Sequence, residues 1–178
     1  VTMVGIGVTE ELLLRGYLIT NVAEGFTWYD QVGSIGSVYV ALLGSSILFG
    51  VVHLLNPNAG LASTVGIFLA AVMLGTAYIL SGELAIPIGI HITWNLFQGP
   101  VFGFPVSGLN FGLSIISINQ AGPAVFTGGS FGPEAGILGA IASVLGIVAI
   151  LVWVKWHEGY LRIDPSVATP ELRVDRRR

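Results

Sequence analysis

The sequence predicts an all-α fold, a polytopic bundle of about five transmembrane helices. Of its 178 residues, 53% are hydrophobic and only 10% are charged, whereas soluble domains carry about 25% charged residues. No lysine or arginine lies between Gly16 and Val154. Because a nucleic-acid surface needs basic side chains to neutralise phosphates, this distribution excludes nucleic acid as a partner. It predicts an integral membrane protein in contact with lipid.

Five apolar runs are the predicted spans, since a membrane-crossing helix needs about 20 mostly apolar residues. The second run stops at Asn56-Pro57, a strong helix breaker, and the short fourth run has Pro87 near its start, where proline is tolerated. The glycine- and proline-rich stretch between Gly99 and Gly132 predicts a long ordered loop between the last two spans. The predicted spans cover about residues 1–22, 34–55, 61–80, 84–97 and 133–156.

Small residues spaced four apart indicate that these spans pack into one bundle, because helices in lipid associate through close backbone approach. Gly66/Ala70 and Gly139/Ser143 are such pairs. We therefore expect a single transmembrane domain over residues 1–157, the C-terminal part of a longer chain. Residues 158–178 are predicted to be a flexible polar tail, whose final three arginines place the C-terminus in the cytoplasm by the positive-inside tendency.

The first span contains an unusual cluster of ionisable residues, Glu10, Glu11 and Arg15. Charged groups within a membrane are costly and indicate function by default. Glu11 and Arg15 are four residues apart, so they share a helix face and are expected to form an ion pair. Glu10 lies about 100° further round the helix and is left available for chemistry. A buried pair that only stabilises the bundle is the alternative, although it leaves Glu10 without a partner.

Two further spans carry histidines, His53 at the end of the second and His91 in the fourth. Asn95 is four residues after His91 and shares its helix face. A role in packing, with each polar group satisfied by a neighbour, is the alternative for these residues. Glu83 and Glu134 fall at predicted helix starts, where the helix dipole favours anions, and a structural role is expected for both.

Three motifs occur in order on separate predicted helices. They are Glu10-Glu11-Leu-Leu-Leu-Arg15, Phe49-Gly-Val-Val-His53 and His91-Ile-Thr-Trp-Asn95. Together they resemble the CPBP family, which comprises the CAAX prenyl-endopeptidases and the related bacteriocin-processing and immunity-type (Abi) proteins. The resemblance covers about residues 5–155.

The resemblance implies an intramembrane endopeptidase that hydrolyses a peptide bond in a membrane-associated or lipidated protein or peptide. Glu10 would activate a water molecule, with His53 positioning that water. His91 and Asn95 would stabilise the oxyanion. The catalytic groups would be held in position by Glu11, Arg15 and Phe49. The implied mechanism needs no metal.

Other interpretations of the same residues stay open. In a zinc-dependent version of the hydrolysis, Glu10, His53 and His91 would hold the ion, since three N/O ligands plus water describe a catalytic zinc site. Glutamate and histidine inside a membrane also serve proton and ion pathways. A catalytically silent immunity or scaffold protein would use the cluster only for packing. The substrate, prenylated or not, is not specified by any motif.

Overall fold

The computed structural model describes residues 1–168, and this part of the chain is helical with no β-strand. Helix α1 consists of three consecutive segments, Thr2–Glu11, the π-helical Leu12–Ile19 and Thr20–Phe26. The helices that follow are α2 (Gly33–Val52), α3 (Leu61–Ser81), α4 (Ala85–Leu96), the short α5 (Ala124–Thr127) and α6 (Ile137–Glu158). The all-α prediction is confirmed.

Three segments are long and apolar enough to cross a membrane, namely Gly33–Leu55, Leu61–Ser81 and Ile137–Glu158. The prediction of about five spans is not confirmed beyond these three. Helix α4 has 12 residues, well short of the roughly 20 that a bilayer requires. Helix α1 is long enough, but it carries four charged residues and is divided by its π-helical segment.

Helix α3 lies at the centre of the bundle, where it packs against α2, α4 and α6. Helix α1 runs antiparallel to α4, because Gly7 contacts Ile92 whereas Gly16, further along α1, contacts Leu84 near the start of α4. This pairing brings the middle of α1 opposite His91. The acidic motif and the third motif therefore meet, although 80 residues separate them along the chain.

Small residues give the close approaches between segments that the sequence predicts. A Cβ on Gly66 of α3 would lie within 1.7 Å of the Glu134 carbonyl oxygen, and one on Gly139 of α6 within 2.2 Å of the Pro133 carbonyl oxygen. The segment Pro133–Ala135, a single 3-10 turn, is therefore wedged between α3 and α6. The site depends on this wedge, because it fixes the position of Glu134.

The predicted long loop between the last two spans is present and ordered. It is anchored by a tight turn in which Val106 and Leu109 exchange both backbone hydrogen bonds, each 2.9 Å long. Ser107 and Gly108 at the tip of this turn have φ values of +47° and +84°, as a two-residue turn of type I′ requires. Gly108 has no room for a side chain, since a Cβ there would lie 2.1 Å from the Pro57 carbonyl oxygen.

The predicted flexible tail differs from expectation as far as it is described. After Gly159 the chain returns to the bundle, where the Asp164 backbone N–H donates to the Ile79 carbonyl at 2.8 Å. Val167 and Ala168 are buried in the cluster formed by α1, α2 and α3. Apolar burial thus holds this stretch in place. Residues 169–178, with the arginines that carry the predicted orientation, lie outside the described residues.

Candidate active site

The centre of the site is a buried ion pair on α1. Arg15 Nη1 donates to Glu11 Oε1 at 3.0 Å, and both side chains are about 1% exposed or less. Arg15 Nη2 donates to the Ala71 carbonyl of α3, also at 3.0 Å, and the guanidinium lies 5.0 Å from the centre of the Phe49 ring. The Glu11–Arg15 pair is the one expected from the i, i+4 spacing, and the same arginine also joins α1 to α2 and α3.

Glu11 also holds His91, a contact that the sequence analysis did not predict. His91 Nδ1 lies 2.7 Å from the same oxygen, Glu11 Oε1. Because an ionised carboxylate can only accept, Nδ1 carries the proton and donates, so the Nε2 edge of the ring faces the neighbouring Glu10. The expected role of Glu11 was to orient its own motif with Arg15. The structure extends that role to fixing the ring of His91 on another helix.

Glu10 has a different environment from its neighbour in the sequence. Its side chain is 34% exposed, and its Oε2 lies 3.8 Å from His91 Nε2. This separation exceeds the range of a direct hydrogen bond, so the two groups are close neighbours without being bonded to each other. Glu10 is therefore the carboxylate of the motif that reaches open space, while Glu11 is committed to Arg15 and His91.

His53 lies where α2 gives way to a 3-10 turn, and its ring orientation is fixed by the helix it ends. Its Nδ1 lies 2.7 Å from the Phe49 carbonyl oxygen. A carbonyl only accepts, so Nδ1 donates and the Nε2 of a neutral ring keeps a free lone pair. The Phe49 ring packs edge-on against both histidines, with centroid distances of 4.3 Å to His53 and 6.3 Å to His91.

The four residues predicted to be catalytic line one cavity of about 210 Å³; they are Glu10, His53, His91 and Asn95. Asn95 is buried, and no other side chain or backbone group in residues 1–168 makes a hydrogen bond with its amide. The rest of the wall is largely apolar, contributed by α1, α3, α4 and the loop. The arrangement therefore offers a carboxylate, two imidazole edges and a free amide to a ligand in apolar surroundings.

Glu134 is a further acidic residue of this cavity, and the prediction of a purely structural helix-start residue did not place it there. Its side chain is buried, with Oε2 accepting from the Ser107 backbone N–H at 2.8 Å and Oε1 lying 3.2 Å from Ser107 Oγ. Burial raises the pKa of the Glu134 carboxyl, while the hydrogen bonds from Ser107 and Gln98 and the charge of His91 act in the opposite direction. No lysine or arginine pairs with Glu134 within residues 1–168.

Two loop residues that sequence reasoning missed complete this wall. The Asn56 amide Nδ2 donates to the Ser107 carbonyl at 2.9 Å, so the turn that carries Ser107 is tied to the end of α2. Asn56 had been noted only as part of a helix breaker, and Ser107 belongs to no motif. In the sequence, Glu134 stands just before a strongly apolar helix and has no lysine or arginine within four residues. An acidic residue without a cation beside an apolar span indicates function, and this signal could have pointed to Glu134.

The residues proposed for zinc are not arranged as a metal site. Within residues 1–168, no three side chains of histidine, aspartate or glutamate are gathered so that they could hold a metal ion. His91 uses Nδ1 for Glu11 and His53 uses Nδ1 for Phe49, so each has only Nε2 to offer. A ligating histidine needs only one ring nitrogen and commonly donates the other N–H to a carboxylate or carbonyl. The obstacle to a zinc site at Glu10, His53 and His91 is therefore only that the three side chains are not gathered.

Comparison with known proteins identifies the family. The model of the type II CAAX prenyl endopeptidase Rce1-like family matches residues 1–97, which is more than half of the chain and includes all three motifs. No curated protein and no solved structure matches the chain. The match and the three long apolar helices lead to one conclusion. The chain is an integral membrane protein that belongs to the Rce1-like family of type II CAAX prenyl endopeptidases.

Proposed function

We propose that the chain is an intramembrane endopeptidase that hydrolyses a peptide bond with a water molecule activated by Glu10. The observation that carries the proposal is the convergence of Glu10, His53, His91 and Asn95, from three helices, on one cavity. Peptide hydrolysis needs a nucleophile and a stabilised oxyanion. These four side chains offer groups for both tasks.

The nucleophile would form between Glu10 and His53. Glu10 is the partly exposed carboxylate of the motif, and it takes a proton from the water as the water oxygen bonds to the substrate's carbonyl carbon. His53 donates through Nδ1 to the Phe49 carbonyl. Its Nε2 would therefore accept a hydrogen bond from the second O–H of the same water. His53 can orient the water while Glu10 takes its proton, because the hydrogen bond to the Phe49 carbonyl holds the His53 ring in one orientation.

The oxyanion would be stabilised by His91 and Asn95, which lie one turn apart on α4. The Glu11 carboxylate accepts from His91 Nδ1 and so holds the ring with Nε2 toward Glu10, where a protonated Nε2 would donate to the oxyanion. The Asn95 amide lines the same cavity and would be the second donor. Donors fixed in advance in a water-poor site stabilise developing charge more than donors in water do.

The substrate would be a membrane-associated protein or peptide, with a prenylated CAAX sequence as the class that the family's description names. The apolar part of the cavity wall supports a lipidated partner, because apolar surface favours apolar ligands. The zinc-dependent alternative has less support, since the three residues concerned are not gathered around a common point. The proposed reaction therefore includes no metal-dependent step.

The test is cleavage of an internally quenched peptide that ends in a farnesylated CAAX sequence, by the purified full chain in liposomes. We expect Glu10→Gln to lower kcat about 100-fold or more, the usual contribution of a positioned base. His53→Ala and His91→Ala should also be strongly impaired. Metal content of the active protein, with activity before and after chelation, decides the zinc alternative.

Matched controls are available on the surface of the protein. Glu83 is exposed in the α3–α4 connection and His157 is exposed near the end of α6, so Glu83→Gln and His157→Ala should retain wild-type cleavage. Equal cleavage by wild type and Glu10→Gln would exclude the proposed mechanism. Proton flux that requires Glu10 would support an ion pathway instead, and loss of folding in every site variant would support a scaffold.

A further inference from the structure

Besides a base and oxyanion donors, hydrolysis of a peptide bond needs a source of the proton for the leaving amine, either the protonated base itself or a separate acid. The leaving amine must take up a proton as the C–N bond breaks, because an amide anion is too basic to leave. In the mechanism above Glu10 receives a proton from water, while His53, His91 and Asn95 have their own tasks. The cavity contains one more group with a transferable proton, the Glu134 carboxyl.

We propose that Glu134 is the acid that protonates the leaving amine, so that the site contains two carboxyl groups with opposite roles. This inference rests on the proposed endopeptidase function. It is carried by the position of Glu134 in the wall shared with Glu10, His53 and His91, and by the turn that holds its carboxyl. None of the three motifs includes Glu134.

The surroundings of Glu134 shift its carboxyl toward the protonated form. The side chain is buried and has no lysine or arginine partner within residues 1–168, and burial raises the pKa of its carboxyl more than the hydrogen bonds and the charge of His91 lower it. The titratable groups that line the same cavity are Glu10 on α1, His53 at the end of α2 and His91 on α4. Pairs of carboxyl groups whose environments differ in this way divide acid and base roles in other hydrolases.

The orientation of the carboxyl is fixed by the loop. Ser107 contacts both oxygens of Glu134, and the backbone of the turn is tied down on two sides. Asn56 donates to the Ser107 carbonyl at 2.9 Å, and the Gly108 N–H donates to the Phe131 carbonyl at 2.7 Å. A turn constrained in this way keeps an acid in one position, which proton transfer at a defined atom requires.

The proton balance of the step closes. As the water oxygen bonds to the carbonyl carbon, Glu10 gains one proton. As the C–N bond breaks, its electron pair goes to nitrogen, which takes the proton from Glu134. Glu10 then carries a proton and Glu134 a negative charge, and exchange with solvent restores both. The sum is one water consumed, one carboxylic acid and one amine released.

The experiment compares two substrates that differ only in the leaving group. The first is the farnesylated CAAX peptide, and the second carries a p-nitrophenyl ester in place of the bond that the wild type cleaves. p-Nitrophenolate leaves without being protonated, so its release needs activated water but no acid. We expect Glu134→Gln to lower kcat for the peptide about 100-fold while retaining most of its rate on the ester. Glutamine keeps an acceptor for the Ser107 N–H.

Each other outcome overturns the proposal. Equal loss on both substrates would make Glu134 a structural residue, and a raised KM with unchanged kcat would make it a substrate anchor. Failure of the proposed function is distinguishable, because the wild type would then hydrolyse neither substrate, or Glu10→Gln would hydrolyse both as the wild type does.

A second variant keeps the test decisive if Glu134→Gln does not fold. Ser107→Gly removes the hydroxyl beside Glu134 Oε1 and places glycine where φ is +47°, a conformation that glycine adopts freely. We expect a smaller loss of kcat that is again confined to the peptide substrate. Unchanged kcat on the peptide, or equal loss on the ester, would contradict the proposed role.

Discussion

The two buried glutamates of the site differ in how the protein accommodates them. Glu11 is fully buried beside Arg15, which lies one turn along the same helix, and it also holds His91. Glu134 is buried in a loop segment, and its carboxyl accepts a hydrogen bond from the Ser107 backbone N–H of the tight turn, whereas the carboxyl of Glu11 pairs with Arg15. Burial raises the pKa of the Glu134 carboxyl, whereas Glu11 has the Arg15 guanidinium 3.0 Å away. The comparison shows two ways of burying a carboxyl group, beside a cation behind the cavity and on hydrogen bonds within its wall.

Replacing Arg15, the cation that pairs with Glu11, should produce the largest effect. Arg15→Met leaves Glu11 buried without its main partner, and breaking a buried pair in this way costs about 3–5 kcal/mol. We expect thermal unfolding in detergent to shift sharply downward, with loss of folded yield. Arg162→Met is the matched control, since Arg162 is exposed, and it should unfold as the wild type does.

A double variant sharpens the interpretation of that result. Adding Glu11→Gln to Arg15→Met removes the orphaned charge and should recover part of the lost stability. If the double variant is no more stable than Arg15→Met alone, the loss arises from the packing of the guanidinium on Phe49 and Ala71, and the ion pair itself contributes little.

The same contrast explains what could be predicted from sequence. Glu11 and Arg15 share a helix face by their spacing, and His53, His91 and Asn95 are polar residues within apolar runs, so composition and period locate all of them. Glu134 and Ser107 are 27 residues apart in an irregular segment. No periodicity relates two such positions, because only the folded loop brings them together. The bridging of His91 by Glu11 was missed for the same reason, since it depends on how α1 and α4 dock.

The number of spans shows a related limit. Hydropathy finds apolar runs, and every run proved helical, but it does not show which helices are long enough to cross a bilayer. Helix α4 has 12 residues and continues into the π-helical Phe97–Val101, where the chain turns into the loop. Because α4 is short, His91 and Asn95 lie near its C-terminal end, and both line the cavity together with Glu134. The short length that weakens the prediction of α4 as a span therefore helps to build the site.

An intermediate effect is expected where α3 supports Glu134. Gly66→Ala places a methyl group on the Glu134 carbonyl oxygen, so the wedge Pro133–Ala135 must move. Overpacking of this kind costs about 1–3 kcal/mol, and we expect a lower unfolding temperature together with reduced peptide cleavage. Gly44→Ala is the control, because nothing lies within 4 Å of a Cβ there. Equal stability of the two variants would show that the loop adapts freely.

The smallest effect is expected from loosening the turn without touching either glutamate. Asn56→Ala removes the hydrogen bond to the Ser107 carbonyl, a contact worth about 1 kcal/mol, and lets the turn that orients Glu134 vary in position. We expect a slight fall in unfolding temperature and a several-fold lower kcat on the peptide, with the ester rate retained. Asn21→Ala is the control, since its amide also donates to a carbonyl but is exposed on α1. If both variants cleave the peptide equally well, the turn is stiff without Asn56, and the orientation of Glu134 depends on the close packing of Gly108 and Gly66 alone.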